Sequence, residues 1–344
     1  MKKTANSEAL HLPISEQPCQ KCSMSGRFVL AHKDVSAALC PTTKEVGRAG
    51  HTVWMRVFMQ NLPAVEAGSH GGIVLNSETK WPEGVRCAVA LTFDLDAETL
   101  WLSRNPQSAD CPGVLSQGTY GAKVATPRIL AMLNRLDLKA TFFVPGWVVE
   151  QHTPICRQIV QAGHEIAYHG YLHEPATSAE HEEQLIIKCR KIMQEMLGVT
   201  PVGHRSPMFN ITPESVEVCL NNGIEYSSNM MDSDHPYWHT SADGRKMAEL
   251  PTSWLFDDSS HFFFTVQQPQ RRPIMAPSTV REIWQAEFDG IYDEQGIMVL
   301  VMHPQVIGRV SRLRMLEQLL CYMRSRPGTW IGPGRDIARA VLAD

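Results

Sequence analysis

Asp94 and Asp96 stand one residue apart at the end of the apolar run Cys87-Ala88-Val89-Ala90-Leu91-Thr92-Phe93, and Glu98 follows. Side chains alternate along a strand, so the two aspartates can face the same way. Two neighbouring carboxylates are unfavourable without a cation or a shared proton. The pair therefore reads either as one metal ligand plus one general base or as an ordinary turn cluster. His169 and His173 follow a second apolar run. Their spacing is that of a helical metal pair, but Gly170 and Pro175 oppose a regular helix, so a compact loop must aim both imidazoles at one ion. Two neutral imidazoles with a carboxylate are a common catalytic zinc set that leaves a position open for water. Alone, the pair reads as exposed polar residues; beside an acidic strand end, it reads as ligands.

Three further groups have the right chemistry. Arg205, in Gly203-His204-Arg205-Ser206-Pro207, can grip a carboxylate with two donors or form a structural ion pair. Trp254 can wall a pocket, and Asp257 or Asp258 can orient a histidine. His303, in Met302-His303-Pro304, is a candidate general acid near neutral pH, with a hydrogen-bonded structural histidine as the rival reading.

The elements that must position these groups alternate. Strand signals near residues 90, 142, 166, 202, 226, 249 and 299 are separated by helical stripes. Thr126-Pro127, Thr153-Pro154, Ser178 and Thr212-Pro213 read as helix starts, and Gly163, Gly198 and Gly223 as stops. Arg309–Ser325 carries a further leucine stripe. Such alternation means a parallel sheet with helices outside it. The expected fold is α/β, a distorted (β/α)7 barrel. All the candidate residues fall just past strand ends, the face where parallel barrels carry their chemistry. The loops 105–121 and 233–245, the second with Asp234, His235, Tyr237, Trp238 and His239, are expected to shape the pocket.

Composition removes other classes. A net charge of −4 lacks the basic face of a nucleic-acid binder. With 43% hydrophobic residues, wholesale disorder is excluded. No apolar run approaches the roughly 18 residues of a membrane span, and Met1-Lys2-Lys3 is followed by no apolar segment of a signal peptide. Nine scattered cysteines argue against a disulfide framework. The expectation is a cytoplasmic protein. Residues 1–77 show no sustained period and are read as a poorly ordered extension, leaving 78–344 as the catalytic domain. Cys19 and Cys22 form a CxxC that reads as unpaired tail cysteines rather than half a zinc site.

Residues 81–340 resemble the polysaccharide deacetylase superfamily of the NodB-homology type. Thr92-Phe93-Asp94, His169–His173, Arg205-Ser206-Pro207, Leu250–Asp258 and Met302-His303-Pro304 are similar to its five motifs in order. Phe93–Glu98, Ser227-Ser228-Asn229-Met230, Trp254 with Asp257-Asp258, and His303 through Arg309 resemble its cyclic-imide, allantoinase-type and cytoplasmic peptidoglycan deacetylase members. Leu95 separates two aspartates that are adjacent in the common pattern. The resemblance implies hydrolysis of a non-peptide C–N amide bond, most closely that of a small cyclic imide or ureide. The alternative is a de-N-acetylase of peptidoglycan or another amino sugar. It implies a divalent metal, zinc, on Asp96, His169 and His173, with Asp94 as base, Arg205 holding Asp94, and His303 as acid. Trp254, Asp257, Asp258 and Glu98 would bind or orient substrate. Related enzymes are commonly tetramers. A non-catalytic binding protein is disfavoured by the complete residue set.

Overall fold

The computed structural model describes residues 81–264 and 273–343; the N-terminal extension and its CxxC lie outside them. β1 (Cys87–Asp94) is buried along its whole length. That is what an apolar strand covered on both faces by a parallel sheet and its helices requires. The sheet continues through β2 (Thr141–Val144), β3 (Glu165–Tyr168), β4 (Gly203–His204), β5 (Tyr226–Ser227), β6 (Tyr237–Thr240), β7 (Lys246–Glu249), β8 (Ile297–Met302) and β9 (Thr329–Gly332). The strand order is β6-β7-β5-β4-β3-β2-β1-β8. One edge of β1 is shared: β9 pairs with Cys87–Ala90 and β2 with Thr92–Asp94. Every pairing is parallel except β6 with β7. The seam opposite β1 is drawn together by a bridge between Asp257 and Val301 and by the Thr252 hydroxyl, which donates to the Val299 carbonyl at 3.1 Å. This is the expected α/β barrel, distorted and incompletely closed.

The seven expected strands all form, and two more were not expected. β6 is a polar edge strand, and β9 is a short half-buried strand with no apolar run to announce it. Residues 233–245, read as a pocket loop, instead carry β6 at the edge of the sheet.

Period-two alternation sorts the side chains. Ala88 and Ala90 of β1 pack inside with Phe143, Ala167, Tyr226, Ala248, Val299 and Val301. Ile337, Ala338 and Val341 of the helix Gly334–Leu342 close the bottom of this interior layer. Val89, Leu91 and Phe93 face outward, onto the helices that wrap the sheet. Continuing the inward series upward gives Thr92 and Asp94 on β1, His169 after β3, Arg205 after β4 and His303 after β8. The alternation that fills the barrel with small apolar residues thus delivers polar ones to its rim.

We number the helices α1 (Thr99–Leu102), α2 (Pro112–Tyr120), α3 (Thr126–Leu136), α4 (Gly146–Gln151), α5 (Thr153–Gln161) and α6 (Ala179–Leu197), then α7 (Ser215–Asn221), α8 (Asp258–Phe262), α9 (Pro277–Glu294), α10 (Pro304–Ile307) and α11 (Val310–Ser325). α6 begins and ends as the sequence predicts: the Ser178 hydroxyl accepts from the His181 N–H, and Gly198 closes it at φ +71°. Thr126-Pro127 does not open a helix. A π-helical turn, Gly121–Ala125, joins α2 to α3 without a break, and the Thr126 hydroxyl donates to the Gly121 carbonyl at 2.9 Å. The wide turn admits Pro127, which lacks an N–H, into a continuing helix. Three glycines let this helix approach its neighbours. A Cβ on Gly118 would meet the Ala97 carbonyl oxygen at 2.4 Å, one on Gly121 the Gln305 side chain at 3.0 Å, and one on Gly308 the Ala125 Cβ at 2.3 Å. Among the described residues, no helix is long and apolar enough to cross a membrane.

Candidate active site

Three ligand-type groups meet above the end of β1. The carboxylate of Asp96 and the imidazoles of His169 and His173 offer donor atoms within 4.8 Å of one another, all buried. His169 Nε2 lies 3.4 Å and His173 Nε2 3.8 Å from Asp96 Oδ1. His169 is oriented from behind: its Nδ1 lies 2.8 Å from the Arg205 carbonyl, to which it donates, so Nε2 is the ring nitrogen that faces Asp96. Asp96 Oδ1 and His169 Nε2 are buried with no hydrogen-bond partner. Buried polar atoms rarely go unsatisfied, and two of them converging with a second imidazole are what a cation site requires. Burial opposes the charge on Asp96, but His173, His169 and His303 outweigh it and hold the carboxyl far below the usual carboxylate range. Burial pushes His173 down to about 4, against the pull of Asp96, so its imidazole is neutral at pH 7. Burial opposes a charge on His169, but Asp94 and Asp96 raise its pKa, so a divalent metal of the zinc kind would take the place of that proton beside an anionic oxygen and the neutral His173.

Asp94 is not the Arg205-free twin of Asp96. Its Oδ1 receives Arg205 Nη1 at 2.7 Å, and its Oδ2 lies 3.8 Å from His169 Nε2. Arg205 is wholly buried and fully engaged. It donates to Thr92 Oγ1 and Ser228 Oγ, each at 2.8 Å, and its guanidinium lies over the Phe143 ring at 4.2 Å. The two aspartates that alternation places together therefore have different partners.

His303 enters from the opposite strand. Its Nδ1 lies 2.7 Å from Asp258 Oδ1, and its backbone N–H donates to Asp258 Oδ2 at 3.0 Å. Its Nε2 faces Asp96 Oδ2 at 3.7 Å. Asp257 Oδ1 lies 3.7 Å from Nδ1 and accepts the Ser259 N–H at 2.7 Å. Burial disfavours a charged His303, but Asp258 and Asp257 overcome it and raise its pKa well above the usual value. The result is an imidazolium whose free N–H is directed at the metal-binding set.

A cavity of about 90 Å³ opens above these groups, with Asp94, His169, His173, Asp257 and His303 in its floor and walls. Leu100, Phe263 and Val306 supply apolar surface, and Met208, Phe209 and Trp254 stand at its rim. Phe209 and Trp254 pack edge-to-face at 5.0 Å. Four non-glycine residues near the site have positive φ: Ala97, His173, Met208 and Phe209. Such strain persists only where surrounding contacts enforce it.

The polysaccharide deacetylase family profile matches residues 85–227. A crystal structure assigned to the polysaccharide deacetylases, from Mycobacterium smegmatis, is 36% identical and covers 79% of this chain and 96% of its own, with a TM-score of 0.76. The chain belongs to the polysaccharide deacetylase family. A peptidoglycan deacetylase of Helicobacter pylori is 28% identical over 271 residues, 71% of this chain and 92% of that protein. The Puue allantoinase structure, 22% identical with a TM-score of 0.66 over 82% of this chain and 97% of its own, shares the fold. As a member of this deacetylase family, the protein is a hydrolase of carbon–nitrogen bonds other than peptide bonds.

Within this deacetylase frame, most residues singled out in the sequence converge, and one does not. Glu98 turns away from the cavity: its carboxylate accepts from Thr119 Oγ1 at 2.6 Å and pairs with His152 Nε2 at 2.7 Å. Burial opposes its charge, and those two partners lower its pKa. It ties the loop after β1 to α2 and to the end of α4. No residue of 105–121 or 233–245 lines the cavity. Sequence reasoning passed over Arg104, Leu100, Met208, Phe209 and Phe263, which line it, and Gln305, whose Nε2 lies 3.5 Å from Asp96 Oδ2. Gln305 had a usable signal, two places past His303; the apolar wall had none.

Proposed function

We propose that the protein opens a small cyclic imide or ureide by hydrolysing its amide C–N bond, with Asp94 as general base and His303 as general acid. The compact head of the cavity supports this reading: about 90 Å³ walled by Leu100, Phe263 and Val306 takes one compact ring, or one acyl group of a larger substrate. On this reading the enzyme acts on a soluble metabolite in the cytoplasm. A second reading, de-N-acetylation of peptidoglycan or another amino sugar, is favoured by the relative matched over 92% of its length. An acetamido group would enter the cavity while the sugar rested on the rim at Trp254 and Met208.

In both readings Asp96, His169 and His173 would hold a divalent ion, zinc by the donor set, and that ion supplies Lewis acidity to the amide and to water. Asp94 accepts the proton of the attacking water. Arg205 fixes the Asp94 carboxylate in one orientation. His303 donates from Nε2 to the departing nitrogen, and Asp258, bonded to Nδ1, stabilises the imidazolium and its orientation. The bond broken is carbonyl carbon to nitrogen. A ring substrate yields a carboxylate and an amide in one molecule; an N-acetyl sugar yields acetate and an amine.

The deciding experiment supplies zinc-loaded protein with succinimide, dihydrouracil, allantoin and an N-acetylglucosamine oligomer, before and after chelation. Ring opening that a chelator abolishes is the expected result. Acetate release from the oligomer, with the rings untouched, would replace the first reading by the second.

A further inference from the structure

Arg104 lines the cavity from the exposed turn after α1. It is the one permanent cation among the described residues that do so. Its Nη2 lies 3.5 Å from Met208 Sδ, and among the described residues no carboxylate lies within ion-pairing distance of it. The acidic residues of the cavity are committed elsewhere: Asp94 to Arg205, and Asp257 to the Ser259 N–H and the neighbourhood of His303. The guanidinium is thus an uncompensated charge set in a rim of apolar side chains, Leu100, Met208, Phe209 and Trp254. An exposed guanidinium held beside apolar side chains presents paired donors that match a carboxylate. No second guanidinium or ammonium group lines the cavity among the described residues, so a singly charged group at the rim fits better than a phosphate.

We infer that Arg104 receives a carboxylate carried by the substrate away from its scissile amide, so that the preferred substrate is an anionic small amide rather than a neutral one. This rests on the small-amide reading above and narrows its substrate class.

The test separates the distal charge from the metal-binding head. Two ligands of equal length are titrated into zinc-loaded protein: the monohydroxamate of succinic acid, with a distal carboxylate, and the same hydroxamate with a distal primary amide. The hydroxamate is common to both, so the ratio of their dissociation constants reads the distal group. The wild type is expected to prefer the carboxylate by roughly tenfold at low salt. The ratio should fall towards one in Arg104→Gln, be partly kept in Arg104→Lys, and shrink as salt is added to the wild type. A wild-type ratio near one overturns the inference, as does a ratio that survives in Arg104→Gln. If Arg104→Gln does not fold, Arg104→Glu and the wild-type salt series decide in the same way. No turnover enters the measurement. A protein that keeps the ratio but opens no ring loses the imide reading and keeps the role of Arg104.

Discussion

Two buried clusters of ligand-type side chains diverge from neighbouring positions of one strand end. Arg205 points into the barrel and pairs with Asp94, while its carbonyl meets His169 of the trio Asp96, His169 and His173; His204, one residue earlier, points outward to Glu182 on α6 and Cys219 on α7. Each trio brings its donor atoms within 4.8 Å, and both are buried. They differ in what their lone pairs do. In the outer trio, Cys219 Sγ meets His204 Nδ1 at 3.4 Å, Glu182 Oε1 lies 3.7 Å from Nε2, and Ser215 donates to Glu182 Oε2 at 2.6 Å. In the inner trio, two donor atoms have no partner. Charge separates them further. Burial raises the Cys219 thiol and the Glu182 carboxyl, so the outer trio can shed its charge, whereas Asp96 is held ionised. Residue types alone do not make a metal site. An obligate charge with unoccupied lone pairs does.

The comparison can be broken in four measurements. The largest effect belongs to His169→Ala, expected to lose zinc and to cut turnover by more than about a thousandfold, because several kcal/mol of charge stabilisation leave with the ion. His204→Gln should keep full zinc content by elemental analysis; zinc lost from His204→Gln would erase the distinction between the trios. His303→Ala should retain zinc while turnover falls by roughly 10²–10⁴, the usual size of a lost general acid. Metal lost together with activity would make His303 a ligand instead.

The third measurement is stability against pH. Burial lowers His204 to about 4, with Arg205 and His169 in the same sense and Glu249 opposing. The unfolded chain takes up this proton near 6.5, and the folded one only near 4. Stability is therefore lost as pH falls through that window, by about 3 kcal/mol for this group, and none of that loss occurs in His204→Gln. Glu182, raised by burial, acts in the opposite sense above its usual 4.5, while Tyr168 and Cys219 do not titrate there. The readout is thus the wild-type minus His204→Gln difference from chemical denaturation, which should shrink between pH 7 and pH 4. A difference that stays flat would mean that His204 is not buried as a neutral group. The smallest effect is the shift in Tm on adding zinc. At a hundredfold excess over Kd, binding adds about 2.7 kcal/mol of stability. Wild type and His204→Gln should shift alike, and His169→Ala should not shift.

Much of the inner trio was legible in the sequence because a parallel barrel couples it to strand periodicity. Once Cys87–Phe93 is read as a strand buried on both faces, Asp94 must lie at its end, and the same holds for His169, Arg205 and His303. The outer trio left no such mark. His204 lies beside Arg205, but Glu182 and Cys219 are single positions on two helices, and only the packing of α6 and α7 brings them together. The π-turn was hidden for a related reason: Thr-Pro looks the same whether it opens a helix or follows a widened turn. Arg104 and Phe263 sit on irregular backbone, and Leu100 and Val306 on four-residue helices, too short for a period to point inward or outward. Glu98 shows the reverse error, a carboxylate in the right segment whose partners, Thr119 and His152, arrive from α2 and the end of α4.

The close contacts of Gly118, Gly121 and Gly308 divide the excursion between β1 and α3 into two parts with different futures. Residues 118–125 are wedged between the loop that carries Asp96 and the turn after His303, where an added methyl group has no space. Residues 103–114 are largely exposed and include Arg104. Of this stretch Arg104 alone lines the cavity, so the rim can change at one exposed position while the wedged helix keeps the chemistry fixed. For a protein engineer, position 104 is the one to vary, and the glycine-faced helix behind it is the part to leave alone.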